Sequence, residues 1–264
     1  MRTVVVFAAL LIILFSCNDS AEEFSIVGQV QFALDEKGKI HGEGDTIQED
    51  KYLGGVLHSK TFYDSTEDGR RVIKTFYYDS SGKDSVYLFT IPLTRSARTE
   101  LIRDKFGNIV EMRILESSSP AVYSLKYINI LNADSQAISS RVQDSSGKLV
   151  YIQEYSYDSN KRLNEMKTYV LQDTSKVLQS IDTDIYDGKG SKVESMKVDM
   201  VSGDSTKREY VYDSRRRLSQ ERYFKNSSLV HEVSYDYEDN RKKTAIMDYP
   251  SLKKKYQIRF YYIK

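Results

Sequence analysis

Side chains that commonly carry chemistry are scarce in this sequence. Histidine occurs three times, at His41, His58 and His231, and cysteine once, at Cys17. With no second thiol there is neither a disulfide framework nor a cysteine-based metal site. His231 alternates with Leu229 and Val233, which places it among the apolar residues of a strand as a packed histidine rather than a ligand or base. No His-Glu-x-x-His, no Gly-x-Ser-x-Gly elbow and no phosphate-cradling Gly-rich loop occurs. The cluster Asp182, Asp184, Asp187, Gly188, Gly190 approaches a calcium loop, but its third acid comes one residue late. Carboxylates are plentiful, yet no pair stands out for glycoside hydrolysis. No catalytic, cofactor-binding or metal-binding residue is assigned, and no cofactor is expected.

Cys17 is different because of what precedes it. Arg2 is followed by an apolar run from Val4 to Phe15, then Ser16-Cys17, then Asn18-Asp19-Ser20-Ala21-Glu22-Glu23. This is the layout of a secretory signal, and the run is far short of the roughly 20 apolar residues a spanning helix needs. Leu14-Phe15-Ser16-Cys17 resembles the lipobox of bacterial lipoproteins of Bacteroidota-like species, with Phe15 where a small or β-branched residue is usual. The resemblance implies cleavage before Cys17, a diacylglyceryl thioether on its sulfur, and a lipid-anchored location in the cell envelope, at the outer membrane of a Gram-negative bacterium. The expected organisation is a signal peptide over 1–16, an acidic tether over 17–24 and a β-rich body over 25–264.

Composition narrows what that body does. Without residues 1–16 the chain holds 38 basic and 38 acidic side chains, so there is no electrostatic footprint for nucleic acid. Tyrosine (21) and phenylalanine (10) are abundant, tryptophan is absent and proline occurs only three times, a balance that favours strands.

A phrase recurs along the body: Asp, two residues, Gly, a polar residue, an aliphatic. It appears at Asp35–Ile40, Asp104–Ile109 and Asp144–Leu149, and Asp79-Ser80-Ser81-Gly82 repeats its first half. Degenerate copies at Tyr157–Leu163 and Tyr212–Leu218 put Lys161 and Arg216 in the Gly position, and Tyr186-Asp187-Gly188-Lys189-Gly190 reads as carrying one extra residue. An Asp carboxylate bonds backbone two residues on, and Gly takes the positive φ of a tight hairpin, so each phrase closes a hairpin. Copies preceded by Tyr resemble the YD (Rhs-type) repeat, which implies an all-β body but no particular ligand.

The turn signals fall into two interleaved series. One holds Asp79, Asp104, Leu131, Asp158, Asp187, Asp213 and Glu238; the other holds Asp35, Asp64, Pro92, Ser118, Asp144, Asp173, Gly203, Asn226 and Pro250. Steps near 26 residues within each series describe successive hairpins, and an up-and-down antiparallel meander of roughly 14 to 16 strands follows. Between turns one parity is apolar, as in Tyr256, Ile258, Phe260 and Tyr262, and the other polar, as in Lys255, Gln257 and Arg259. Such a sheet must curl to bury its apolar face, giving a half-barrel, shell or two-layer sandwich. Residues 41–60, broken by Gly42, Gly44, Gly54 and Gly55, read as a loop with a helical turn. Glu165 and Lys167 interrupt the apolar parity after Leu163 and so speak against a lipid-facing barrel wall. The expected function is a non-enzymatic envelope body presenting a surface to a protein or glycan, with a glycan-directed hydrolase as the alternative.

Overall fold

A computed structural model describes residues 26–263 apart from 36, 54–55, 67–68, 79–83, 92–94, 117–121 and 173–174. Its strands are β1 (Ile26–Leu34), β2 (Ile40–Leu53), β3 (Val56–Thr66), β4 (Gly69–Tyr78), β5 (Asp84–Ile91), β6 (Arg95–Arg103), β7 (Ile109–Glu116), β8 (Val122–Leu131) and β9 (Ala137–Asp144). The second half holds β10 (Leu149–Tyr157), β11 (Leu163–Gln172), β12 (Ser175–Tyr186), β13 (Lys192–Asp199), β14 (Ser205–Tyr212), β15 (Leu218–Lys225), β16 (Ser228–Glu238), β17 (Arg241–Tyr249) and β18 (Lys254–Ile263). Each pairs antiparallel with the next, the all-β up-and-down meander expected. The two series of turn signals are its two rims.

The curl comes full circle. β18 pairs with β1 from Ile26↔Ile263 to Leu34↔Lys255, while β1 also pairs with β2, so the ladder has no free edge. Closure removes the unpaired N–H and C=O groups that an edge strand would present. The 18 strands exceed the 14 to 16 expected because residues 41–53 and 56–60, read as part of a loop, are strand. They lie in β2 and β3, and β2 follows β1 through register shifts at Gln29/Val30 and Gln31/Ala33. Gly44 is needed there, since a Cβ would collide with the Phe32 ring and Val30.

The hairpin phrase works as its chemistry requires. At Asp158 one carboxylate oxygen accepts from the Asn160 and Arg162 N–H groups at 2.9 Å, and Lys161 takes φ 62°. Asp213 does the same for Arg215 and Arg217, with Arg216 at φ 64°. At Asp187 the N–H groups of Lys189 and Ser191 donate, and Gly190 stands at φ 91°. Gly190 is three residues after Asp187, as Gly107 is after Asp104, so this copy carries no extra residue and the expectation of one is corrected. Asn132 forms an unrecognised copy, accepting from Asp134 and Gln136 with Ser135 at φ 61°.

After each of these turns on one rim, the returning strand holds one residue more than its partner can match. The register shifts at Ile130/Leu131, Ser156/Tyr157, Ile185/Tyr186 and Val211/Tyr212 make Ile138, Asn164, Val193 and Ser219 the bulged residues, and the shift at Asp236/Tyr237 does the same for Lys243 at the β16–β17 turn of that rim. A bulge disrupts the ladder locally, and tyrosine hydroxyls from the neighbouring strand repair it. Tyr186 donates to the Leu163 carbonyl (3.2 Å), Tyr212 to Lys192 (2.8 Å), Tyr237 to Leu218 (2.9 Å) and Tyr262 to Lys242 (2.9 Å). In every case the acceptor immediately precedes the bulged residue. Arginine completes the link: Arg162 bonds Asp158 and lies 4.2 Å over the Tyr186 ring, and Arg217 bonds Asp213 and lies 4.4 Å over Tyr237.

The same bulge explains Glu165 and Lys167. With Asn164 as the extra residue, Ser156 pairs with Glu165 and Glu154 with Lys167, so both charges move to the opposite face from Tyr155 and Tyr157. They do not interrupt the apolar face; the parity switches at the bulge. That face holds the buried cluster Val233, Ala245, Met247 and Ile258, with Tyr235, Tyr249, Tyr256 and Phe260 packed around it, and is the inside of the ring.

The seam is closed by a glycine. Gly28 of β1 faces Tyr261 on one side and Glu49 on the other. The Tyr261 ring lies across Gly28 where a Cβ would be, and its hydroxyl donates to Glu49 Oε1 at 2.9 Å while Tyr63 donates to Oε2 at 2.7 Å. An aromatic ring covering a strand glycine compensates for its missing side chain. Gly28→Val should evict the ring and lower stability by about 1–3 kcal/mol, read from the urea midpoint; an unchanged midpoint would deny the seam this role. Tyr212→Phe, which removes only the hydroxyl, should cost about 0.5–1.5 kcal/mol in the same measurement.

Candidate functional site

On the inner wall, non-repeat side chains converge between β11 and β14. Asp182 and Asp184 stand two residues apart on β12 and so on one face. Beside them lie Lys192 and Ser195 of β13, Arg208 and Tyr210 of β14, and Leu163, Asn164 and Met166 of β11, around a recess of 320 Å³. Asn164 is there because it is a bulged residue, a position at which a strand re-aims a side chain.

Charges lining the recess are answered by neighbours. Asp184 meets Lys192 at 2.6 Å, Asp182 Oδ1 meets Lys197 at 3.6 Å, and Arg208 reaches Glu221 at 3.8 Å. Two acceptors are not answered: Asp182 Oδ2 and Asn164 Oδ1 are buried without a hydrogen-bond partner. Burial pushes the Asp182 carboxyl up against the pull of Lys197, and Asp184 adds to the rise. Burial likewise raises Glu221, opposed by Arg208 and by the Tyr235 hydroxyl at 3.3 Å. The Tyr210 hydroxyl is pushed up to about 12 by burial and by Glu221, so at neutral pH it keeps its proton.

The inner wall continues as an aromatic surface on both sides. Tyr127 and Tyr151 share a hydroxyl contact of 2.9 Å, Tyr155 donates to Gln153 at 2.8 Å, and Gln153 Nε2 reaches Met166 Sδ at 3.4 Å. On the other side His231 is held between Tyr223 and Tyr249, each with its ring centroid 5.3 Å away. Its Nδ1 is buried and unpartnered, and burial, with Arg208 nearby, pushes its pKa down to about 4. It is a packed imidazole, neutral at pH 7.

The residues singled out in the sequence are not brought together. Cys17, with the signal segment and tether, lies outside the described residues. His58 packs edge-on against Tyr77 at 6.2 Å, and His41 lies in β2. Asp187 is occupied by its turn, away from the recess formed by Asp182 and Asp184. Among the described residues no group of three His, Cys, Asp or Glu is placed to hold a metal ion. Sequence reasoning missed Asn164, Arg208 and Tyr210. The one available signal was the parity break after Leu163, which marks the bulge.

No family model matches the sequence, and no curated protein matches it. Among solved structures the chain is similar to a porin-like protein from Bacteroides uniformis, at 12% identity over 91% of this chain and 97% of that one, with a TM-score of 0.41. A porin-like protein from Bacteroides vulgatus gives 10% identity, 90% and 98% coverage and a TM-score of 0.35. A TcdB2-TccC3-TEV structure gives 14% identity and a TM-score of 0.37 over 83% of this chain but 11% of that one. Likenesses at these scores assign no activity.

His231 makes stability depend on pH with a definite sign. Its folded pKa is about 4, below the ordinary value near 6.5. Between these values the unfolded chain takes up a proton that the folded chain refuses, so His231 lowers stability progressively as pH falls from 6.5 to 4. The turn carboxylates are held below their usual range, Asp158 first by Arg162 and Asp213 first by the Arg217 N–H, so their contribution is lost only at still lower pH. Denaturant unfolding across pH 4–7 should show a shallower acid loss in His231→Phe than in the parent; identical slopes would refute the assignment.

Proposed function

We propose that this chain is a cell-envelope lipoprotein, anchored through Cys17 at the outer membrane of a Gram-negative bacterium. Its ring of strands stands in water as a non-enzymatic body and binds a protein or glycan. The observation that carries the reading is the outer wall. Across β18 to β13 the outward residues in register are Lys255, Asp248, Glu232, Arg222, Glu209 and Glu194. They are joined by ion pairs at 2.6 Å (Lys255–Asp248), 3.7 Å (Arg222–Glu232) and 3.6 Å (Arg222–Glu209). Elsewhere Arg113 pairs with Glu111 at 2.9 Å and Lys176 with Glu154 at 2.6 Å. An outward Lys or Arg at the bilayer midplane costs about 2–4 kcal/mol, so the mid-strand part of this belt, Glu232, Arg222 and Glu209, belongs in water. A wall of this kind needs a separate means of membrane attachment, and the acylated cysteine supplies it. Among the described residues no helix is long and apolar enough to cross a membrane.

A glycan-directed hydrolase is the weaker reading. Its acid and base would have to be Asp182 and Asp184, the two carboxylates of β12 at the recess, and both hold lysines.

Cys17→Ala should abolish incorporation of labelled palmitate and move the protein from the outer-membrane fraction to the soluble one. Unchanged labelling, or full membrane retention without it, would sink the proposal.

A further inference from the structure

We infer that the recess between β11 and β14 is a binding site for a neutral, polyhydroxylated ligand, a small saccharide by chemical class. The assignment rests on the reading of the ring as a binding body and names where and what it binds. Three observations carry it. The recess measures 320 Å³, at the lower end of the roughly 300–1,000 Å³ of small-ligand sites. Its ionic groups are already answered, Asp184 by Lys192, Asp182 by Lys197 and Arg208 by Glu221, so no uncompensated charge selects an anion or a cation. What remains is acceptor capacity: Asp182 Oδ2 and Asn164 Oδ1, on two residues that line the recess, have no partner and no surface open to water, so a ligand meets them once the carboxylate and the amide turn about their soft terminal torsions, and leaving such groups unmet is costly.

A ligand that satisfies them must bring O–H or N–H donors while remaining uncharged. Sugar hydroxyls do this, and their C–H faces suit the apolar parts of the same wall, Met166 and the ring of Tyr210. The Tyr210 hydroxyl, which keeps its proton at neutral pH, adds a donor for a ring or hydroxyl oxygen. Apart from Leu163 and Lys192, which end their turn phrases, the residues forming the recess lie outside the repeated phrase, as a site specific to one place in a repetitive ring requires.

The test uses the full chain, solubilised in a detergent without sugar head groups, against an array of neutral, uronic-acid, sulfated and amino oligosaccharides, with envelope proteins captured in parallel. Binding of neutral saccharides, weakened at least tenfold by Asp182→Ala and by Asn164→Ala, is expected. Asn164→Ala removes a single neutral side chain and keeps the site testable if the Asp182 variant does not fold. Neutral saccharides bound equally by parent and both variants would overturn this site and leave the binding body standing. A preference for charged saccharides would overturn the ligand class. Capture of an envelope protein with no saccharide bound would overturn the saccharide and uphold the body; failure of both would overturn the two together.

Discussion

A hydroxyl placed at a bulge governs this structure. On one rim the returning strand repeatedly carries a residue that its partner cannot match, and a ladder interrupted in this way leaves backbone polar groups that must be satisfied. Tyrosines at 186, 212, 237 and 262 supply the donor, each reaching the carbonyl just ahead of the extra residue. Because the tyrosine comes from one strand and the carbonyl from the strand before, hairpins are tied in sequence. Bulges also increase local twist and bend the strand. Register shifts occur in hairpins of the other rim as well, at Leu149/Tyr151, Thr168/Tyr169 and Tyr223/Phe224, so bending is distributed around the whole meander, and it ends where β18 meets β1.

The two walls of the ring then follow from strand alternation. Ion pairs run in register over the outside, where each is worth little on its own but where together they keep the wall wet. The inside is mixed: a compact apolar cluster around Val233 and Met247, tyrosine pairs, and buried Glu221, Asp50 and Lys60. Asp50 and Lys60 stand 3.5 Å apart and Gln48 donates to Asp50 at 2.8 Å, so these buried charges are partnered. Polar groups are thus retained on the inner wall at a cost in stability, in contrast to the purely apolar filling a structural core would favour.

Much of this architecture was legible in the sequence because turn chemistry is local. Asp104 with Gly107, or Asp144 with Gly147, states a hairpin within four residues, and the spacing of such phrases separates the two rims. Copies without Gly were legible only by analogy: Lys161 and Arg216 adopt positive φ although neither type favours it, held there by carboxylates at Asp158 and Asp213. What was not legible depends on contacts distant in sequence. β2 was hidden because Gly44 serves close approach to Phe32 rather than a turn. The seam joins Gly28 to Tyr261, and no local pattern shows that these residues face each other. The recess was hidden for a related reason: its members are spread over β11 to β14, and the parity break that marks Asn164 looks like misplaced charge until the register is known.

Closure by pairing β18 against β1 turns a repetitive chain into a counted one. In an open repeat array a unit can be gained or lost with little consequence beyond its neighbours. Here every strand runs opposite to the next, and the last must also run opposite to the first, so only an even number of strands can complete the circle. Duplication or deletion of a single strand would leave parallel partners at the seam, with Tyr261 no longer able to cross Gly28 to Glu49. Growth of such a protein must therefore proceed by whole hairpins, each bringing one turn to either rim. The near-26-residue step visible along the chain is the smallest unit by which the circle could have been enlarged.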